Sequence, residues 1–287
     1  MRGPAIAFNA THRRHDSRSI GVFDSGVGGL TVLSELQRRL PAESTIYLGD
    51  NARAPYGPRP AEEVRRFTLE SIRWLLDEDV KLLVIACNTA TASALDAVRA
   101  ATDTPVVGVI RPGATAAAAA TRVASVGIIA TVGTVASGAY TTAINAADPT
   151  IRVTQQACPD LVPLVEAGVT DGPSAEAVVR AYLDQLRGAA PDLDTVLLGC
   201  THYPLLRSVI ERVLGTGVRV VGSAFTTALA VEDLLDALGA RGSAADAPRH
   251  RVLTTGDVEA FRAIAGRIFG ASVPGIEPVR LPATAVG

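Results

Sequence analysis

Apolar runs alternate with amphipathic stretches along most of the chain. Residues 20–23, 82–86 and 196–198 are almost wholly apolar, which is typical of strands buried on both faces of a parallel sheet. Between such runs, apolar side chains recur at helical spacing, as in residues 30–40 and 61–76. The alternation predicts an α/β fold in which helices cover both faces of the sheet. Further strands are predicted at residues 45–48, 106–110, 126–129, 153–154, 218–221 and 252–254.

Two stretches of the chain repeat one plan of strand, turn and helix. Residues 85–89 are Ile-Ala-Cys-Asn-Thr, and residues 198–202 are Leu-Gly-Cys-Thr-His. Each is followed by a helical pattern and then by a strand that contains Val-Val-Gly. The repeat predicts two similar parallel-sheet α/β domains, related by a pseudo-two-fold axis and facing each other across a cleft.

Composition excludes several classes of function. The chain carries 27 Lys and Arg against 29 Asp and Glu, so it has no basic excess with which to hold a nucleic acid. Its longest run of small apolar residues, 116–120, is far shorter than the about 20 residues of a membrane helix. The three cysteines do not make a disulfide framework and suit a reducing cytoplasm. Residues 1–19 lack the apolar segment of a secretory signal and are expected to form a disordered leader.

Lys81 is the only lysine in the chain. Pyridoxal phosphate enzymes need a lysine for the Schiff base, and Lys81 stands where a strand begins. A nucleotide-binding P-loop needs a Gly-Lys-Ser/Thr triplet, which is absent, and the glycines at 26, 28 and 29 lack the third glycine of the dinucleotide fingerprint. We therefore expect no cofactor and no metal.

Cys87 and Cys200 stand at corresponding places in the repeat, each at the end of a strand and just before a helix. Ligands of open α/β sheets bind at that edge, and a helix N-terminus favours the thiolate. Either cysteine could be a small buried filler, or the two could form a disulfide, but the polar residues that follow both favour chemistry. Two thiols that face one pocket can remove a proton from one side of a carbon and return one to the other. That reaction is a racemisation or an epimerisation.

Other side chains could set the protonation of these thiols. Asp24 ends the first strand before a glycine-rich turn, where it is either a helix N-cap or a site residue. His202 follows Cys200 by two residues and can serve as its proton partner. Glu166 interrupts an apolar stretch, so it points either to solvent or into a pocket. Cys158 has no polar follower and is interpreted as structural.

Four motifs, taken in order, resemble those of the glutamate racemases. They are Asp-Ser-Gly-Val-Gly-Gly-Leu at 24–30, Pro-Tyr-Gly at 55–57, Ala-Cys-Asn-Thr-Ala at 86–90 and Gly-Cys-Thr-His-Tyr-Pro-Leu at 199–205. The resemblance implies a cytoplasmic, cofactor-independent racemase that makes D-glutamate for peptidoglycan. It also implies a discontinuous first domain, residues 20–113 with 224–287, and a second domain at 114–223, with the active site between them.

The same resemblance implies roles for individual residues. Cys87 and Cys200 would be the two acid–base catalysts, with Asp24 assisting the first thiol and His202 and Glu166 near the second. The substrate-binding residues would be Asp24, Ser25, Pro55, Tyr56, Gly57, Asn88, Thr89, Thr201 and His202. The ligand would be a small molecule, and the expected partner is a second copy of the chain in a homodimer.

The sequence departs from the family pattern at two places and leaves rival interpretations open. Asp50-Asn51 stands where the family usually has Asp-Thr, and Ser223 is not preceded by the usual Asp or Asn. One rival is another racemase of the same superfamily, for aspartate or a hydantoin, with the same two thiols. A two-lobed protein that only binds small anions is a rival from another class, although binding alone has no use for paired thiols. The charge pattern does not favour a regulatory protein with a macromolecular partner.

Overall fold

The structure is a computed structural model that describes residues 15–243, 245–269 and 275–282. In chain order its strands are β1 (Ile20–Asp24), β2 (Thr45–Gly49), β3 (Leu82–Ile85), β4 (Val106–Gly108), β5 (Ser125–Ala130), β6 (Arg152–Ala157), β7 (Thr195–Gly199), β8 (Arg219–Gly222), β9 (His250–Thr254) and β10 (Ile276–Pro278). The helices are α1 (Leu30–Arg39), α2 (Ala61–Asp77), α3 (Asn88–Ala101), α4 (Ile110–Ala120), α5 (Val132–Ala136), α6 (Ala139–Ala147), α7 (Leu161–Glu166), α8 (Gly172–Ala189), α9 (Arg207–Leu214), α10 (Ala224–Leu238) and α11 (Val258–Phe269). No helix in the described ranges is long and apolar enough to cross a membrane.

The strands form two parallel sheets. Four strands of the first sheet follow the same order as the four strands of the second. The first sheet runs β10-β9-β2-β1-β3-β4 and the second runs β6-β5-β7-β8. In each sheet the first strand in sequence lies between the second and the third, and the fourth pairs with the third. The α/β class and the pair of similar parallel sheets predicted from the repeat are therefore confirmed. Because β3 and β7 hold equivalent places, the residues that follow them lie at equivalent positions at the carboxyl ends of the strands in the two sheets.

Each sheet is buried on both faces, as the apolar strands predict. In β3, Leu82 and Val84 pack with side chains of α1, α10 and α11 on one face. Leu83 and Ile85 pack on the opposite face with side chains of α2 and α3. The second sheet is likewise covered by α8 and α9 on one side and by α4 and α6 on the other. Alternate side chains of one strand thus enter different cores, and this burial holds the strand ends in place.

The chain crosses from the first sheet to the second through α4 and returns through α10. The two crossing segments are packed closely at Gly113 of α4 and Ser223, which directly precedes α10. A Cβ added to Gly113 would lie 3.1 Å from the Cβ of Ser223 and 3.3 Å from the hydroxyl of Tyr140. The absence of a side chain at Gly113 permits this close approach.

Several element boundaries differ from the predicted ones. The helix expected to start at residue 91 starts at Asn88, because Cys87 is extended and its sulfur accepts a hydrogen bond from the Ala90 N–H as the N-cap. The strand expected over 106–110 ends at Gly108, and Ile110 begins α4. Strand β10 was not predicted, because its three residues are defined only by pairing with β9.

Lys81 directly precedes β3. There, at the amino end of that strand, it contacts three separate parts of the chain. Its ammonium, on a side chain only 1% exposed, lies 2.5 Å from the Glu43 carboxylate. It also donates to the backbone carbonyls of Asp16 at 2.6 Å and Ala240 at 2.9 Å. Residues 1–14 of the expected leader lie outside the described residues. Within the described end of that expected leader, the carbonyl of Asp16 accepts from the Lys81 ammonium and the carbonyl of Ser19 accepts from the Lys81 backbone N–H.

Candidate active site

Both candidate thiols line one cavity of about 210 Å³. Its walls come from segments that follow β1, β2 and β3 of the first sheet and β5, β6 and β7 of the second. Of the residues predicted for the site, those on the cavity wall are Ser25, Pro55, Tyr56, Gly57, Cys87, Asn88, Thr89, Glu166, Cys200, Thr201 and His202. The structure therefore brings together residues that are up to 177 positions apart in the chain. They meet at the carboxyl edges of both sheets, where parallel α/β folds bind ligands.

Cys87 sits at the junction of β3 and α3. Its thiol donates a hydrogen bond to the Ser25 hydroxyl at 3.4 Å, and its sulfur accepts from the Ala90 N–H at the same distance. Burial and the nearby Asp24 carboxylate raise the pKa of Cys87 to about 12, against smaller opposing effects of these hydrogen bonds. At neutral pH Cys87 is therefore held as the neutral thiol.

Cys200 has a different partner. Its sulfur lies 3.9 Å from Nδ1 of His202, and Nε2 of the same ring lies 3.3 Å from the Glu166 carboxylate. Burial acts to lower the pKa of His202, but Cys200, Glu166 and Asp24 outweigh it and raise that pKa to about 10. The ring is therefore an imidazolium at neutral pH, and its positive charge lies beside the Cys200 sulfur.

Asp24 lies beneath the cavity rather than on its wall. Its carboxylate is fully buried, accepts from the Gly26 N–H at 2.9 Å, and receives the Thr201 hydroxyl at 3.4 Å. Burial raises the pKa of Asp24 above its ordinary value. It does not cap α1, because the residue at the N-cap is Gly29. The carboxylate instead connects the two halves of the site through the hydrogen bond with Thr201.

The glycine-rich turn after β1 is a packing surface. A Cβ on Gly28 would lie 2.6 Å from Nδ1 of His202 and would also overlap the Thr201 hydroxyl. Thr31, at the start of α1, donates to the backbone carbonyl of Thr201 at 3.3 Å. The turn thus allows α1 to approach the Cys200 segment closely, which explains glycines that do not form a dinucleotide fingerprint.

The loop after β2 closes another side of the cavity. Tyr56 is almost fully buried and donates through its hydroxyl to the Asp50 carboxylate at 2.5 Å. The carbonyl of Gly57 accepts from the N–H of Gly133 at 2.9 Å, across the cleft. Asn51, the departure from the family pattern, lies behind this loop, where it accepts from the Thr254 hydroxyl at 3.2 Å.

The structure adds cavity residues that sequence reasoning missed. The hydroxyl of Thr131 lies 2.9 Å from that of Thr89, which belongs to the other side of the cleft. Thr131 follows β5 as Ser25 follows β1, so the strand-end position within the repeat was the signal that could have found it. Cys158, interpreted as structural, also lies on the cavity wall, and burial raises its pKa to about 12. The remaining wall residues are Gly26, Ala54, Pro58, Val132, Pro159, Val162 and Pro163.

Comparison with known proteins agrees with this geometry. The family model for Asp/Glu/Hydantoin racemase matches residues 20–232. A glutamate racemase of Oceanobacillus iheyensis is 50% identical over 252 residues, which make up 88% of this chain and 92% of that protein. The crystal structure of a glutamate racemase isoform from Bacillus anthracis is similar with a TM-score of 0.88 at 44% identity, covering 93% of this chain and 99% of that one.

A second solved structure, the glutamate racemase of Francisella tularensis in complex with D-glutamate, has a TM-score of 0.86 at 33% identity. It covers 93% of this chain and 98% of that one. The residues matched by the family model, 20–232, include all four motifs that surround the cavity and strands β1 to β8. The chain belongs to the glutamate racemases of the Asp/Glu/Hydantoin racemase family.

Proposed function

We propose that this protein is a cofactor-independent glutamate racemase, an isomerase that interconverts L- and D-glutamate with two cysteine thiols. The observation that carries the proposal is that Cys87 and Cys200, which follow equivalent strands of two similar sheets, line one cavity. Sequence identity of 50% with a glutamate racemase over most of both chains supports glutamate as the substrate.

The reaction needs one thiolate and one thiol on opposite sides of the α-carbon. The thiolate takes the α-proton, and the thiol on the other side gives its proton to the opposite face. The imidazolium of His202, 3.9 Å from Cys200, attracts negative charge on that sulfur. Asp24 disfavours negative charge on Cys87 and keeps it ready to donate. The roles of the two thiols are exchanged for the other enantiomer.

The cavity can hold the charges of glutamate without a lysine or an arginine. No lysine or arginine is among its wall residues in the described part of the chain. The donors available to the carboxylates include the hydroxyls of Ser25 and Thr89, together with the N–H groups at the start of α3. His202 supplies one positive charge. Oriented donors in an enclosed site stabilise the carbanion that forms when the weakly acidic α-proton leaves.

Deuterium incorporation tests the activity directly. Reduced protein without added cofactor is incubated with L-glutamate in D₂O, and α-deuteration is followed by NMR alongside optical rotation. We expect α-deuteration together with loss of rotation. The same assay with aspartate tests the superfamily rival. Exchange with aspartate and not glutamate would transfer the activity to that substrate, and exchange with neither would favour the binding-protein interpretation.

Serine variants test the two-thiol mechanism. Cys87→Ser and Cys200→Ser should each abolish racemisation and leave the fold intact, because an alcohol is a far weaker acid than a thiol. Cys158→Ser is the matched control, since Cys158 lies on the same wall without an assigned catalytic role. Near wild-type racemisation by either catalytic variant would refute the mechanism.

The cellular setting is part of the proposal. All three cysteines are free and buried, which suits a reducing cytoplasm. We place the protein there as a homodimer that supplies D-glutamate for peptidoglycan, with one domain at residues 20–113 and 224–287 and the other at 114–223. The location of the chain crossings in α4 and α10 supports this division. Light scattering on the purified protein measures the oligomeric state, and a monomer at all concentrations would contradict the dimer.

A further inference from the structure

Tyr140 is a fully buried side chain that the proposed reaction does not use. It belongs to α6, behind the cavity, and its hydroxyl accepts a hydrogen bond from the Asn88 side-chain N–H at 2.6 Å. Ser223 also acts on this hydroxyl, and Gly113 lies close enough that an added Cβ would be 3.3 Å from it. One phenol therefore contacts a cavity residue and both segments through which the chain crosses between the sheets.

The contact with Tyr140 determines which end of the Asn88 amide faces the cavity. Nδ2 of Asn88 is directed at Tyr140. Oδ1 is buried and has no hydrogen-bond partner among the described residues, although Asn88 lines the cavity. A buried acceptor without a hydrogen-bond partner is costly. We therefore expect a bound ligand to donate a hydrogen bond to this oxygen.

The chemistry of glutamate leaves one partner for that oxygen. An amide oxygen only accepts hydrogen bonds, and both carboxylates of glutamate also only accept. The α-ammonium is the donor that glutamate carries. An Asn88 amide turned the other way would present N–H groups to the ligand and would favour a carboxylate instead.

We propose that Tyr140 is a positioning residue for substrate binding, because it holds the Asn88 amide so that Oδ1 receives the α-ammonium of glutamate. The inference rests on the proposed function and adds to it a residue outside the cavity wall. Burial raises the pKa of Tyr140, so the phenol stays protonated. The phenol oxygen accepts from the Asn88 side-chain N–H, and Ser223 is a second hydrogen-bonding partner of the same hydroxyl.

Tyr140→Phe removes the hydroxyl and keeps the ring. Without its acceptor, the Asn88 amide can turn, and we expect KM to rise about tenfold for both enantiomers of glutamate, the loss of one hydrogen bond to a charged group. The kcat should fall less than about threefold, because the thiols are untouched. Glutarate has the two carboxylates but no ammonium, so its inhibition constant should not change.

The contrast between glutamate and glutarate separates positioning from general destabilisation. Tyr203→Phe is the matched control, since it removes another buried phenol hydroxyl, bonded to the carbonyl of Cys158 at 2.9 Å. We expect Tyr203→Phe to lower the melting temperature without raising KM. Equal weakening of glutamate and glutarate by Tyr140→Phe, or an unchanged KM, would overturn the inference.

A double-mutant cycle tests whether Tyr140 acts through Asn88. In an Asn88→Ala background, Tyr140→Phe should change KM less than about twofold, because the group it positions is gone. A full additional effect in that background would mean that Tyr140 acts by another route, and the inference would fall.

Asn88→Asp provides a test that does not depend on the folding of Tyr140→Phe. A carboxylate keeps an acceptor toward the ammonium, so glutamate should bind within about threefold of wild type while glutarate binds at least about tenfold more weakly. Weakening of both ligands alike would place an N–H of Asn88 against the substrate and refute the inference. Titration calorimetry measures the affinity for glutamate and for glutarate and does not depend on the rate of racemisation. Wild-type protein that binds but does not racemise glutamate would instead contradict the proposed function alone.

Discussion

At the scale of single residues, the two thiols have unlike neighbours although they occupy equivalent strand ends. Cys87 lies beside a carboxylate and Cys200 beside an imidazolium. The enantiomers of glutamate are equal in free energy, so kcat/KM must be the same in both directions. The unequal neighbours can therefore make kcat and KM differ between the two enantiomers, but kcat/KM stays the same for both. Kinetic asymmetry between the directions is a consequence of residues such as His202, not of the fold.

The raised pKa of His202 predicts a pH-dependent contribution to stability. The folded value is about 10 against the ordinary 6.5, so the native state binds the extra proton between these two values. The contribution is complete below pH 6.5 and is lost as the pH rises to about 10. We expect the difference in unfolding free energy between wild type and His202→Asn to be largest in mildly acidic solution and to shrink steadily with rising pH. Denaturant unfolding across this range measures it, and a difference independent of pH would contradict it.

At the scale of elements, sequence patterns predicted most strands and helices but not the details at their ends. Helix α3 begins three residues before its predicted start, because Cys87 takes the N-cap position that Ser, Thr, Asp or Asn usually fills. This places Asn88 and Thr89 on the first turn of the helix, beside the thiol, rather than in a loop. Strand β10 has no pattern of its own, since three residues become a strand only through β9. Both features depend on contacts that local sequence does not encode.

The close approach of the turn at Gly28 to the Cys200 segment predicts a separate effect of a single methyl group. Gly28→Ala would place its Cβ 2.6 Å from Nδ1 of His202, so the two segments must move apart. We expect kcat/KM to fall by about 100-fold, since displacements near 1 Å can cost that much, and stability to fall by about 1–3 kcal/mol. Kinetics and denaturant unfolding measure the two effects.

Gly188→Ala is the control for that variant. Gly188 lies in α8 with no atom within 4 Å of an added Cβ, so this change should leave activity unaltered and stabilise the helix slightly. Wild-type activity in Gly28→Ala would show that the turn and His202 are not in contact in solution.

At the scale of the whole molecule, the repeat explains why the sequence could place Cys87 and Cys200 together. Two sheets of the same order expose equivalent strand ends, and the thiols follow the equivalent strands β3 and β7. The contacts across the cleft were not predictable in the same way. The pairing of Thr89 with Thr131 depends on the relative placement of two sheets, which no local pattern specifies. The same holds for the contact of Tyr140 with Asn88.

The buried Lys81–Glu43 pair predicts a large effect on stability from a site far from the cavity. Lys81→Met leaves the Glu43 carboxylate buried without its cation, and we expect a loss of about 3–5 kcal/mol in unfolding free energy. Lys81→Met with Glu43→Leu should recover much of it, because neither charge is then buried alone. Arg38→Met, which breaks the exposed pair with Glu35, should cost less than about 1 kcal/mol. A loss from Lys81→Met as small as that from Arg38→Met, measured in urea, would contradict the prediction.

The same lysine gives the folded protein an unusual chemical property. Acylating reagents that react with lysine amines find no exposed lysine, because the single ammonium is enclosed between Asp16, Glu43 and Ala240. Its acylation requires the three segments around it to separate, so the modification rate in excess reagent reports the free energy of that local opening. Mass spectrometry of the one peptide that contains Lys81 would then follow the opening of the three segments that enclose its ammonium.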